Sequence, residues 1–191
     1  MTSPVPPDLA ATQCLALGRR ALHQLRATLE RESGLQAATW LQEAGFAAGD
    51  DLYQAFARWT TVAYGVASPD AIDQARFSEV ASRFFEGLGW GGLSVTRLAP
   101  SVLAFDAADW AESQPGAESQ YPSCHVTSGM LAAFVSQLAG SPAAAMEVEC
   151  RTRGEGRCRW LVGSPETLGT LYDLLSRGLG YQQALTAGGV G

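Results

Sequence analysis

The sequence predicts an α+β fold in which helices pack around a small antiparallel sheet. Three observations lead there. Residues up to about 90 carry apolar side chains at helical spacing, residues 93–105 switch to short β-type runs, and two further such runs flank a Gly-rich turn near Gly154. A chain of 191 residues with 47% hydrophobic content can fill one core. The organisation expected is a disordered Pro-rich tail over 1–8, a single ligand-binding domain over 9–180 and a loose tail over 181–191.

The elements follow in order. Residues 9–32 read as a first helix, with Leu15, Leu22 and Leu29 seven apart and Leu25 between them. Arg19, Arg20, Arg26, Glu30 and Arg31 surround that seam, which fits either the domain's own core or a second copy. A second helix after Ser33 should stop at Gly45, and a third should open at Asp50 with Leu52, Phe56, Trp59 and Ala63 on one face. Ser68-Pro69 caps the next, striped by Phe77, Val80, Phe84 and Leu88 until Gly87 and Gly89 end it. Strands follow at 93–98 and 102–105 around a Pro100-Ser101 turn, then a polar surface loop over 109–120. A helix over 127–138 is apolar on nearly every side and should be buried. Strands at 143–151 and 157–163 form a hairpin, and Ser164-Pro165 caps a last helix.

Charge narrows the function classes. Net charge is −6 and all 13 basic residues are arginine, which disfavours a general nucleic-acid binder and excludes a lysine Schiff base. Arg151, Arg153, Arg157 and Arg159 read as a solvated turn balanced by Glu147, Glu149 and Glu155. No apolar run is long enough to span a membrane, and the amino terminus lacks a signal-peptide pattern, so a cytoplasmic location is expected.

The strongest chemical signal is Cys124, Glu147, Cys150 and Cys158. Three thiolates and one carboxylate suit Zn²⁺, which accepts S and O donors together, and four protein ligands make a closed structural site. Cys150 and Cys158 each lie four positions from Gly154, so a hairpin turning there sets them opposite each other. Free or redox-active thiols, or a Cys150–Cys158 disulfide, fit the same residues. In a regular strand Glu147 and Cys150 point to opposite faces, so the metal set requires a bulge.

These residues carry a family resemblance. Cys124, Ser128-Gly129, Gly140-Ser141-Pro142, Glu147-Val148-Glu149-Cys150 and the Gly154 turn to Cys158 resemble the core motif of the 4-vinyl-reductase domain family. Glu43-Ala44-Gly45-Phe46-Ala47-Ala48-Gly49 and Leu88-Gly89-Trp90-Gly91 resemble two further landmarks, so the likeness spans roughly residues 35–165. The resemblance implies the fold shared with small subunits of the TRAPP vesicle-tethering complex. It also implies kinship with sensors of small aromatic molecules in bacterial transcription activators, where a metal site of this ligand type stabilises the fold. Other members accompany bacteriochlorophyll synthesis. A phenolic, lipid-like or tetrapyrrole ligand and a homodimer follow as expectations. This sequence departs from the sensors in showing no ATPase or DNA-binding domain.

Aromatic residues supply a candidate pocket for a flat hydrophobic ligand: Phe56, Trp59, Tyr64, Phe84, Trp90 and Trp110, with His125 beside the metal motif. Each also suits a plain core position. His23, among Leu22 and Leu25, reads as a surface or interface residue. No catalytic residues are assigned, because phosphate cradle, nucleophile elbow and nucleotide or flavin motif are all missing. The expected function is a small-molecule binding or sensing module with structural zinc, not an enzyme alone. The alternative is a tetrapyrrole-binding accessory or vinyl-group reductase; a second alternative is an assembly subunit.

Overall fold

A four-stranded antiparallel sheet organises the chain, in the order β1-β2-β4-β3. Its strands are β1 (Ser94–Ala99), β2 (Val102–Ala107), β3 (Ala144–Glu149) and β4 (Cys158–Gly163). The structure is a computed structural model and describes residues 6–8, 14–117 and 119–188. The sheet and the helix–sheet–helix order agree with the expected α+β class.

α1 covers Arg19–Ser33, a later start than expected. Residues 9–13 lie outside the described set, and 14–18 take no regular structure. Gly18 is extended at the N-cap (φ −65°, ψ 138°), and its carbonyl accepts the first helical N–H groups from Ala21 and Leu22. The leucine seam is divided. Leu22 and Leu29 are half-buried with Arg26 buried between them, while Leu25 is 50% and Leu15 94% exposed.

α2 runs unbroken through Gln36–Tyr64, where two helices were expected. Gly45 does not stop it, because these glycines serve packing. A Cβ on Gly45 would overlap the Val126 carbonyl, and one on Gly49 would meet Ala133 and the Met130 carbonyl. Both contacts come from α4 (His125–Ala139), which Gly129 lets approach equally closely at Gln42 and Phe46. The helix ends at Gly65 in the left-handed region (φ 68°). α3 covers Gln74–Gly87 and is capped by Asp73, which accepts the Ala75 N–H at 2.8 Å; Ser68-Pro69 opens only a single 3₁₀ turn.

α4 is buried nearly all round, as its composition predicts. The main core joins α2, α3 and α4 to one face of the sheet through Phe56, Phe84, Phe134, Phe105 and Trp160. The other face, at Val102 and Leu161, is covered by α5 (Pro165–Ser176) and α6 (Tyr181–Ala187) through Leu168, Leu171 and Ala184. α6 replaces part of the expected loose tail because Tyr181 is tied to the sheet: its hydroxyl donates to Glu149 at 2.5 Å and accepts from Arg159 at 2.9 Å. At the other end Pro7 is buried and packs against Gly87, so the described residues 6–8 are seated on α3. The stretch 109–120 is not all surface, since Trp110, Ala111, Glu112 and Ser113 are buried. Among the described residues no helix is long and apolar enough to cross a membrane.

Candidate metal centre

The hairpin contains the bulge that the candidate donor set requires. Glu147 pairs with Trp160 and Glu149 with Arg159, so two steps on β3 match one on β4 and Val148 is the extra residue. This reverses the alternation and brings Cys150 to the side of Glu147. The chain then makes a 3₁₀ turn, Arg151–Arg153, and passes Gly154 at φ 106°, a conformation that favours glycine. Cys158 opens the returning strand.

Charged side chains hold this turn and are less solvated than expected. Arg153 donates to the bulge carbonyl of Val148 at 2.9 Å and to Glu155 at 2.7 Å, while Glu155 accepts the Cys150 N–H at 3.0 Å. Arg157 forks onto Glu149 at 2.8 and 3.1 Å. Arg159, 9% exposed, forks onto Asp106 at 2.6 and 2.7 Å. Glu149 is held below the usual carboxylate range: burial pushes it up, but Arg157 and Tyr181 outweigh that.

Cys124 arrives from the residue preceding α4. Its Sγ lies 3.9 Å from that of Cys150 and 3.8 Å from that of Cys158, and all three side chains are wholly buried. Glu147 Oε2 accepts the Cys124 N–H at 2.9 Å, while Oε1 is buried without a partner. The four ligand atoms lie within 4.8 Å of one another, so the cluster can hold a metal ion. Four donors at the Zn–S length form a tetrahedron of edge about 3.8 Å, which the sulfur separations match. Disulfide sulfurs sit near 2.05 Å, and none of these cysteines is so bonded.

Electrostatics also favour a cation. Contacts with Cys150 and Cys158, then burial, raise the Cys124 thiol well above its ordinary range. Cys158 is drawn down by Cys124, but the contact with Cys150 and burial raise it overall. Burial, then the charge on Cys150, pushes Glu147 up to about 9. Only Cys150 moves down, because Cys124 and Cys158 donate to its sulfur. Four acids packed without a counter-charge therefore retain their protons; a dication at their centre reverses that preference.

A second buried network fixes the Cys124 strand. Glu112 accepts from Val126 N at 2.9 Å, Thr127 N at 2.8 Å and Thr127 Oγ1 at 2.6 Å, so it caps α4 from a distant segment. Burial pushes its carboxyl up to about 7 despite these donors and nearby Arg26. Arg26 reaches from α1 to the Glu112 carbonyl at 3.0 Å, the Ser123 hydroxyl at 3.3 Å and Gln114 Oε1 at 3.1 Å. Trp110 Nε1 donates to Thr127 Oγ1 at 2.7 Å. Sequence reasoning missed Arg26, Glu112 and Thr127, whose partners are too remote in the chain for any local pattern to reveal.

The aromatic candidates fall into two groups. Phe56, Trp59, Tyr64 and Phe84 pack ring against ring, with Phe56 5.1 Å from Phe84 and Trp59 5.4 Å from Tyr64. Trp90 stacks on Trp110 at 5.6 Å and 28°. His125 is half-buried at the first turn of α4, and burial lowers its pKa. His23 is not a surface residue: it is half-buried, with Nε2 3.0 Å from the Ala111 carbonyl. A cavity of about 560 Å³ opens beside α1 and α2, and of the seven candidates Trp90 alone lines it.

Comparison with known proteins agrees with this architecture. Residues 111–164 match the family model of the 4-vinyl-reductase domain, a segment that contains all four cluster residues. The resemblance seen in the sequence is thus borne out over that segment. The chain is similar to the phenol-responsive sensory domain of the transcription activator PoxR, solved with phenol (19% identity, 85% of this chain and 82% of that one, TM-score 0.61). It is also similar to a trafficking protein particle complex subunit 3 from Naegleria fowleri, solved covalently bound to palmitic acid (12% identity, 76% and 91%, TM-score 0.60). These two show a TRAPP-like fold. A vinyl-4-reductase family protein from Methanocaldococcus jannaschii aligns over 58% of this chain and 66% of that one at 15% identity, with a TM-score of 0.38, too low to bear on the fold. None of the curated proteins compared with the chain matches it.

Proposed function

We propose that this protein is a small-molecule-binding module whose fold is tied together by one Zn²⁺ ion on Cys124, Cys150, Cys158 and Glu147. The convergence of three buried thiols on a carboxylate with an unpartnered oxygen carries the metal reading. Four protein ligands complete a tetrahedral shell, so the ion joins the start of α4 to the β3–β4 hairpin and supplies stability rather than an open position for chemistry. The binding reading draws on the two fold neighbours, one solved with phenol and one with palmitic acid. Both carry an apolar small molecule, and we assign that class here.

Cys150→Ala tests the metal reading. It removes one ligand from a closed site, and purified protein should lose its zinc and melt well below the wild type. A variant that keeps stoichiometric zinc at an unchanged melting temperature contradicts the assignment. We further propose a homodimer, motivated by exposed Leu25 and Leu15. Sedimentation giving a mass of one 20.1 kDa chain at micromolar concentration excludes it.

A further inference from the structure

We propose that the cavity between α1, α2 and the α3–β1 turn is where this protein takes an uncharged, mostly apolar molecule. The inference rests on the small-molecule reading above and gives it a location outside the aromatic core. The volume, about 560 Å³, falls among those of ligand sites, roughly 300–1,000 Å³. Leu22 of α1, Leu52 of α2, Leu88, Trp90 and Val126 line it, so both aliphatic and aromatic contact is available.

The Trp90 wall is preorganised. The Trp90 carbonyl accepts the Ala111 N–H at 2.7 Å, and its N–H donates to the Phe85 carbonyl at 2.9 Å. Behind it, stacked Trp110 is pinned by its bond to Thr127. A ligand meeting such a wall orders little on binding. The two charged residues of the lining, Arg19 and Asp51, have opposite signs, so the site favours neither an anion nor a cation.

The opposite side is of another kind. Residues 14–18 carry no secondary structure, yet Cys14, Leu15 and Leu17 belong to the lining, with Leu15 94% and Leu17 62% exposed. Two leucines left in water beside an apolar cavity gain burial when an apolar molecule occupies it. One rigid aromatic wall and one adaptable strap describe a site that closes over its contents. The core cluster of Phe56, Trp59 and Phe84 is already packed ring on ring.

The probe is N-phenyl-1-naphthylamine, a neutral flat fluorophore, titrated into the full chain. Ala48 lines the cavity from the exposed side of α2, so Ala48→Phe fills the space without entering the core. The expected result is saturable binding of about one probe per wild-type chain, weakened at least tenfold in Ala48→Phe. A readout that needs no variant is amide exchange of wild type, which should slow at 14–18 when the probe binds. Equal saturable binding by wild type and Ala48→Phe, with 14–18 unprotected, overturns the location and leaves the small-molecule reading standing. No saturable binding by wild type overturns both. A wild-type dimer that Ala48→Phe splits, with no probe bound, identifies the cavity as a contact between copies and overturns the proposal.

Discussion

Glu112→Gln should change how stability depends on pH, with a sign set by burial. The Glu112 carboxyl titrates near 7 in the folded protein because burial outweighs its donors, against an ordinary value of 4.5. A carboxyl raised on folding contributes stability that is fully present below its unfolded pKa and is lost as pH rises through its folded pKa. The window here therefore runs from 4.5 to about 7. The full shift corresponds to about 3 kcal/mol, of which about 2 kcal/mol falls between pH 5.5 and 8.5. Glutamine keeps the shape and does not titrate. It accepts fewer of the three donors from Val126 and Thr127, a fixed cost that does not vary with pH. Urea unfolding of both proteins at several pH values, in excess zinc, measures the gap between them. The gap should move by about 2 kcal/mol in favour of the glutamine variant from pH 5.5 to 8.5. A gap independent of pH refutes the reasoning, and one moving the other way shows that the donors and Arg26 win.

Two other substitutions test the frame around the site. Gly129→Ala places a methyl group against the Gln42 carbonyl and Phe46 nitrogen, so α2 and α4 must separate; urea unfolding should show a loss of about 3 kcal/mol, and a loss under 1 kcal/mol contradicts the close contact. Tyr181→Phe removes the hydroxyl shared by Arg159 and Glu149, costing about 2 kcal/mol and speeding amide exchange across 181–187; unchanged exchange there shows that α6 is held by its apolar contacts alone.

The cysteine motif is the most legible part of the molecule. Its spacing around Gly154 requires a hairpin, the mismatch of Glu147 and Cys150 requires a bulge, and the register shift at Val148 is that bulge. α4 and all four strands are legible too, because apolar composition and β-type runs are local signals. Gly45 reads locally as a helix end, since propensity cannot distinguish a stop from a place where another helix crosses. The leucine repeat in residues 15–29 suggests one continuous seam, but Gly18 delays the helix and Arg26 occupies its inner face. No periodicity marks an arginine that will be buried by partners at Glu112 and Ser123. The same distance hides the cap that Glu112 gives to α4, and it leaves 109–120 looking like surface. Aromatic composition shows that rings will cluster but not which will fill the core and which, like Trp90, will border a space.

Zinc K-edge X-ray absorption on freshly purified wild-type protein, with metal quantified on the same sample, tests the central claim most directly. It should give about one zinc per chain, with three sulfur neighbours near 2.3 Å and one oxygen near 2.0 Å. Less than about a tenth of an equivalent of metal in protein never exposed to chelator, or a first shell without sulfur, contradicts the account.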